Sequence, residues 1–231
     1  MAELGQYGLD AGPEGAVLTT ANSGLSDKSP ANTTDITFAA AAKGHGAFGA
    51  RASAPAGTSR FARFRFPGNE SGTTWAFSGA VDLPDAPVGN AVEFFGFPNA
   101  SGSKRCYVRV ENTGRMQFVG RAGSSFHTLV EAADITWGAK YRVVLVVQGG
   151  SSTASVVQGK VYRENTPGSG TFTTQVGTTL SVSTVDTGTD AVIGVDAGVT
   201  NTSAAAVVVG FDDIQLELGR TTEIPDYTVP N

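Results

Sequence analysis

The chain has 231 residues, a formal net charge of −5, 30 glycines and charged side chains at only 16%. A chain of this length buries one sizeable core, and its acidic balance excludes a general attraction to nucleic acid. The single cysteine, Cys106, excludes an internal disulfide, and no apolar run approaches the ~18 residues of a membrane-spanning helix.

In chain order, residues 1–15 are Gly-rich and irregular and read as an anchoring arm. They show no basic region followed by an apolar run, so no signal peptide is expected. Ala16–Thr20 and Asp35–Ala41 read as short strands around a Ser/Asn/Thr/Pro loop, and Gly44 and Gly46 leave the alanines of 39–42 no room for a helix. Ser59–Phe66 alternates, with Ala62, Phe64 and Phe66 on one face and Phe61, Arg63 and Arg65 on the other. Strands follow at Trp75–Leu83, Ala91–Phe97, Lys104–Val110 and Arg115–Arg121. Further strands are expected at Lys140–Gln148, which is strongly apolar, and at Ser155–Arg163, Gln175–Val182 and Ala191–Asp196.

The closing stretch, Ala205–Leu218, is apolar as far as Phe211, as in a strand buried on both faces. Beyond Asp212 and Asp213 it alternates, with Ile214, Leu216 and Leu218 opposed to Gln215 and Glu217. The two adjacent acids must be solvated, hydrogen-bonded or bound to a cation. A late central strand of this kind closes a sandwich by pairing with an early one. About a dozen short strands without a helical stretch predict an all-β fold, a two-sheet antiparallel jelly-roll sandwich. It forms a single domain over 16–218, followed by an extended tail, 219–231.

One hairpin is readable in detail. If Asn112-Thr113-Gly114 is a three-residue loop, Gly114 takes its left-handed position and Val110 faces Met116, Arg109 faces Gln117 and Val108 faces Phe118. Cys106, Val108, Val110, Met116 and Phe118 then point one way. A two-residue turn would mix apolar and polar faces, so the pattern selects the longer loop.

The other face of that hairpin carries Arg105, Tyr107, Arg109, Arg115, Gln117 and Arg121, in a chain with five lysines and eleven arginines. Guanidinium groups and an aromatic ring suit a glycan, an anionic one included, or an acidic neighbour. The same pattern also suits a solvated face with cross-strand pairs such as Glu111–Arg115. Trp75 and Trp137 each open a strand, as core or rim residues or as a sugar-stacking platform. Cys106 reads as a buried small hydrophobe. Glycoside hydrolysis needs two carboxylates about 5–10 Å apart, and no strand face carries such a pair, so enzyme activity is not expected. His45 and His127 sit in unrelated contexts and read as loop or edge histidines rather than as a zinc site.

Three segments, Gly8 to Gly24, Ile135-Thr-Trp-Gly-Ala-Lys-Tyr-Arg-Val-Val-Leu-Val-Val147 and Val209-Gly-Phe-Asp-Asp-Ile-Gln-Leu216, carry a family likeness. Together they resemble the opening, central and closing segments of concanavalin A-like (laminin G-like) jelly-roll domains. Such domains occur in tail and other virion proteins of actinobacterial phages and in bacterial surface proteins. The resemblance spans roughly residues 8–218 and implies a structural calcium held by Asp10 and Asp212, with Glu14 as an addition. Asp10 stands where the family has a longer Glu, and hydrogen bonds from loop amides to Asp212 are the alternative to an ion.

The resemblance implies a non-enzymatic phage virion structural or adhesion protein, made in the host cytoplasm and displayed on the tail or capsid. Its partners would be other virion subunits and a host cell-surface glycan, without nucleic acid or membrane insertion. A homo-oligomer is expected, a trimer being one form that fits. The alternative is a carbohydrate-binding module of a bacterial surface protein. A glycan lyase or hydrolase is disfavoured by the missing acid pair.

Overall fold

The computed structural model describes residues 4–7, 9, 12–19, 27–28, 35–46, 49–122, 125–149, 155–185 and 191–226. Seven strands precede the central hairpin: β1 (Leu4–Tyr7), β2 (Asp27–Lys28), β3 (Ile36–Ala39), β4 (Gly49–Ala54), β5 (Ser59–Arg65), β6 (Trp75–Leu83) and β7 (Val92–Pro98). The hairpin is β8 (Lys104–Val110) and β9 (Arg115–Ala122), followed by β10 (Ser125–Asp134), β11 (Ala139–Gln148) and β12 (Ser155–Arg163). The chain ends on β13 (Thr174–Val185), β14 (Gly194–Asn201) and β15 (Val207–Leu218).

These strands form the expected two-sheet antiparallel sandwich. The first sheet runs β13-β12-β11-β6-β15-β4-β3 with β1 added on β15, and the second runs β10-β9-β8-β7-β14-β5-β2. The closing strand β15 is the seam. One edge pairs with β6, and the other pairs first with β4, from Val207↔Ala54 to Phe211↔Ala50, and then with β1, from Ile214↔Tyr7 to Glu217↔Leu4. Its Val209, Phe211, Ile214 and Leu216 are fully buried between the sheets. Aromatic pairs tie the two sheets together: Trp75 stacks on Phe97 at 4.5 Å, Phe77 meets Phe95 edge-on at 4.8 Å, and Phe64 meets Phe211 at 6.3 Å.

The central hairpin has the expected register, with Val110↔Met116, Arg109↔Gln117 and Val108↔Phe118. Gly114 has φ 88°, and its amide donates to the Glu111 carbonyl at 2.9 Å to close the loop. Other elements depart from the sequence pattern. Among the described residues of Ala16–Thr20 there is an isolated bridge, Val17↔Thr37, in place of a strand, and the alanines of 40–42 make a single 3-10 turn. Leu4–Tyr7, inside the expected arm, adds a strand to the first sheet. Gly49–Ala54 is a strand that its composition hides, because Ala and Gly carry little β-propensity. Ala50, Ala52 and Ala54 are fully buried there, so packing and pairing with β15 set its conformation. In β10, register shifts between Thr128 and Val130 and between Glu131 and Ala133 break the alternation that would have marked a strand.

Candidate functional site

Inside the sandwich, β11 buries Tyr141, Val143, Leu145 and Val147, so Lys140, Arg142, Val144 and Val146 project from the outer face of the first sheet. The antiparallel register aligns these positions in rows. One row holds Asp212, Ala80, Arg142, Tyr162 and Gln175 on β15, β6, β11, β12 and β13. The next holds Gln215, Ser78, Val144 and Lys160.

Arg142 is the best-buried cation of this face, at 6% exposure. Its Nε donates to Ser78 Oγ at 2.8 Å and its Nη2 to the Ile224 carbonyl at 2.6 Å. The guanidinium lies over the Tyr162 ring, 5.6 Å from the centroid, and its Nε is 3.4 Å from Asp226 Oδ1. The Tyr162 hydroxyl donates to Glu223 Oε1 at 2.8 Å, while Lys160 Nζ donates to Glu223 Oε2 at 2.5 Å. The hydrogen bond from Lys160 to Glu223 pushes the ammonium up, and burial followed by that same carboxylate pushes the Tyr162 phenol up.

The acids that flagged β15 in the sequence form a bulge. The register shifts between Asp212 and Gln215, and Asp213 takes the left-handed backbone with φ 52°, a region open to Asp at modest cost. The bulge turns both carboxylates toward the loop at residues 43–46. Asp212 Oδ2 accepts from the Gly44 amide at 2.8 Å and its Oδ1 from the Leu9 amide at 3.2 Å. Asp213 Oδ2 accepts from the His45 amide at 3.0 Å and faces His45 Nδ1 at 2.7 Å. Burial, with the Asp213 charge beside it, holds Asp212 well above the usual carboxylate range against the pull of these amides. Burial also raises Asp213, opposed by His45, whereas the Asp213 hydrogen bond raises His45 above its ordinary value. His45 is half-buried, with Phe172 6.5 Å away, and lies close enough to Arg142 and Asp226 to feel both charges.

Beside the Arg142 row opens a cleft of about 650 Å³, lined by Ala41, Asp82, Lys140, Arg163, Glu164 and Thr174. Lys140 pairs with Asp82 across the strands, and burial raises the Asp82 carboxyl. Arg142, Lys160, Tyr162, His45 and this cleft therefore lie together on the first sheet as one polar tract, in which the cations alternate with the acids Asp82, Glu164, Asp213, Glu223 and Asp226. Its heads match carboxylates: the Arg fork bidentately, the Lys ammonium as a point charge, and the Tyr hydroxyl as a donor.

The binding face expected from sequence lies on the second sheet instead. Its register brings Tyr107, Arg109 and Gln117 together as expected, and neighbours within the chain cover Tyr107 and Gln117. Tyr107 and Gln117 are 7% and 3% exposed, Arg109 Nε donates to Gln117 Oε1 at 2.7 Å, and Arg109 Nη2 lies 3.6 Å from Glu111. Lys104 Nζ sits 5.9 Å from the Tyr107 ring centroid. Arg115 is exposed and Arg105 half-buried, and the Arg121 side chain lies outside the described residues. On β5, Arg63 makes a two-point pair with Asp196 at 2.7 and 3.0 Å. Trp75 is a core residue, Trp137 is partly buried against the core, and Cys106 is buried, with its thiol pushed up by burial.

At Asp212, where the resemblance implies a calcium shared with Asp10, each carboxylate oxygen accepts a backbone N–H. These are the loop amides of the alternative reading. Asp10 lies outside the described residues, and Glu14 Oε2 accepts from the Ala40 amide at 2.6 Å. Among the described residues, no group of three or more His, Cys, Asp or Glu side chains gathers as a metal site.

Sequence reasoning missed Arg142, Lys160, Tyr162 and His45. The signal for the first three was present, since Lys140-x-Arg142 and Lys160-x-Tyr162 put polar heads at alternate positions of two neighbouring strands. The apolar run that follows Arg142 masked it. Nothing local marks His45, whose partner Asp213 is 168 residues away.

No family model matches the sequence, and a search of curated proteins finds no match. Among solved structures, the chain is similar to a marine PL-14 alginate lyase from Aplysia kurodai, with TM-score 0.66, 12% identity, and 92% of this chain and 98% of that chain covered. It is similar to an endo-β-1,4-glucuronan lyase from the fungus Trichoderma reesei, with TM-score 0.58, 14% identity and coverage of 84% and 91%. A third is an alginate lyase variant in complex with an alginate tetrasaccharide, with TM-score 0.57, 14% identity and coverage of 95% and 98%. At such identities the likeness shows the fold, a concanavalin A-like jelly-roll sandwich shared with polysaccharide lyases. Two expectations are corrected by it: a phage virion structural protein, and the absence of enzyme activity. Missing acid pairs bear only on hydrolysis, whereas a lyase breaks the glycosidic bond by elimination and requires no such pair.

Proposed function

We propose that this protein takes a carboxylate-bearing polysaccharide on the outer face of its first sheet. The observation that carries the reading is the convergence of Arg142, Lys160 and Tyr162 on carboxylates, two of them shared by Glu223. The adjoining cleft of about 650 Å³ is large enough for sugar rings next to that anchor. The solved alginate and glucuronan lyases of the same fold act on acidic polysaccharides by their names, which supports the same ligand class here.

A second reading adds cleavage, and the hydrogen-bonded His45–Asp213 pair beside Arg142 favours it. In this reading Arg142 neutralises a uronate carboxylate and so acidifies the hydrogen on the neighbouring ring carbon. A base of the face removes that proton, the C–H electron pair becomes a C4=C5 double bond, and the C4–O bond to the preceding sugar breaks. The leaving oxygen takes a proton from Tyr162 or from Lys160.

Calorimetric titration with alginate and glucuronan oligosaccharides, beside their carboxyl-reduced counterparts, tests the binding. Heat from the acidic sugars alone, lost in K160M/Y162F, is the expected result. Equal binding of acidic and reduced forms would defeat it. The ultraviolet absorbance of a newly formed unsaturated end reports cleavage in the same samples.

A further inference from the structure

The carboxylates that hold Arg142, Lys160 and Tyr162 come from the chain itself. After β15, residues 219–226 turn back across the outer face of the first sheet. The turn is pinned at its start, where Gly219 N–H donates to the Thr74 carbonyl at 2.8 Å. Arg220 then bridges Glu217 at 2.7 Å and the carbonyls of Thr222 and Glu223 at 2.9 and 2.8 Å. Ile224 is fully buried against Ala76 and Val146, an apolar spot between polar neighbours on this face. On one side of it Glu223 engages Lys160 and Tyr162, and on the other Asp226 approaches Arg142.

We infer that residues 219–226 are a displaceable strap whose Glu223 and Asp226 occupy two anion subsites belonging to an external ligand. The inference rests on the acidic-polysaccharide reading and sharpens it: the ligand carries carboxylates on more than one sugar, positioned to replace both acids. Three features of the face favour displacement over permanent closure. The Glu223 contacts are partly exposed, with Lys160 at 33% and Glu223 at 29%. Ile224 is the strap's single fully buried apolar side chain among the described residues. A hollow of about 220 Å³ remains between Thr221–Glu223 and the side chains of Val144 and Lys160, so the strap fills its seat incompletely. Lys160, Tyr162 and Arg142, which face these two acids, are cations or a hydroxyl donor, so an incoming carboxylate takes the place of Glu223, and a second one takes the places of Asp226 and the Ile224 carbonyl on Arg142.

The test uses the full chain as wild type and as E223Q/D226N, with two probes: an alginate tetrasaccharide, and a synthetic peptide of residues 219–226. In the double variant the strap loses both charges, and hydrogen exchange of its amides should rise. The tetrasaccharide should then bind the variant about tenfold more tightly than wild type, because a ligand competing with a seated segment is weakened by the fraction of closed protein. The acidic peptide should bind the variant, and its Gln/Asn form should not. Equal tetrasaccharide affinity for both proteins would overturn the strap while leaving the glycan reading intact. Peptide binding without tetrasaccharide binding to either protein would support the strap and defeat the glycan reading. If neither probe distinguishes the proteins and strap exchange is unchanged, the two carboxylates do not hold the strap and the inference fails.

Discussion

The guanidinium of Arg142 lies 5.6 Å over the ring of Tyr162, its register partner on β12, and donates to the Ile224 carbonyl at 2.6 Å. A planar fork is needed to face Ser78, Ile224 and the ring at once, and an ammonium cannot do all three. R142K should therefore lower unfolding stability by about 1–3 kcal/mol through poorly replaced hydrogen bonds at a buried site. Urea denaturation measures this directly, and a change within error would mean that Arg142 is dispensable to the face.

Asp212 Oδ1 and Oδ2 each accept a backbone N–H in a fully buried position. Asn in its place offers one oxygen and turns an NH2 donor toward an N–H. D212N should cost about 1–3 kcal/mol despite sparing a buried charge, because one amide loses its acceptor. A more stable D212N protein would show that the charge cost outweighs the hydrogen bonds.

Gly44 packs so closely on the bulge that a Cβ there would collide with the Asp213 carboxylate. G44A must push the loop at residues 43–46 off β15, at a cost of about 1–3 kcal/mol typical of overpacking. It should also break the His45–Asp213 contact, and an unmoved His45 titration in the variant would contradict that geometry.

His45 is raised above 6.5 by its hydrogen bond to Asp213, so the folded chain holds this proton more tightly than the unfolded chain. The resulting stabilisation is complete below the unfolded value and fades as pH rises through the higher folded one. The stability gap between wild type and H45Q should therefore be wider at about pH 5.5 than at about pH 8.5. NMR titration of His45 should give a midpoint above 6.5, which falls in D213N. A midpoint at or below the ordinary value would contradict the pairing.

The fold was legible where side chains alternate and turns carry their own residues. Phe64 and Val108 face the core as their patterns require, and Gly114, with the alternation on either side of it, specifies the hairpin register. It was illegible where composition and conformation part company, as in the Ala- and Gly-rich strand β4 or the twice-bulged β10. The site was harder to read because it is made by neighbours in space. Arg142, Tyr162 and Glu223 come from β11, β12 and the segment after β15, and only strand order brings them together. Of the conspicuous arginines of β8 and β9, Arg109, by contrast, meets partners on its own hairpin, Gln117 and Glu111.

The most direct test places the ligand on one sheet or the other. An oligouronate is titrated into 15N-labelled protein while the backbone amides of β11 and β12 are followed beside those of β8 and β9. A site on the first sheet requires shifts concentrated at residues 140–146 and 158–164, with none from a carboxyl-reduced oligosaccharide. Shifts concentrated at residues 105–117 would place the ligand on the second sheet and contradict the assignment.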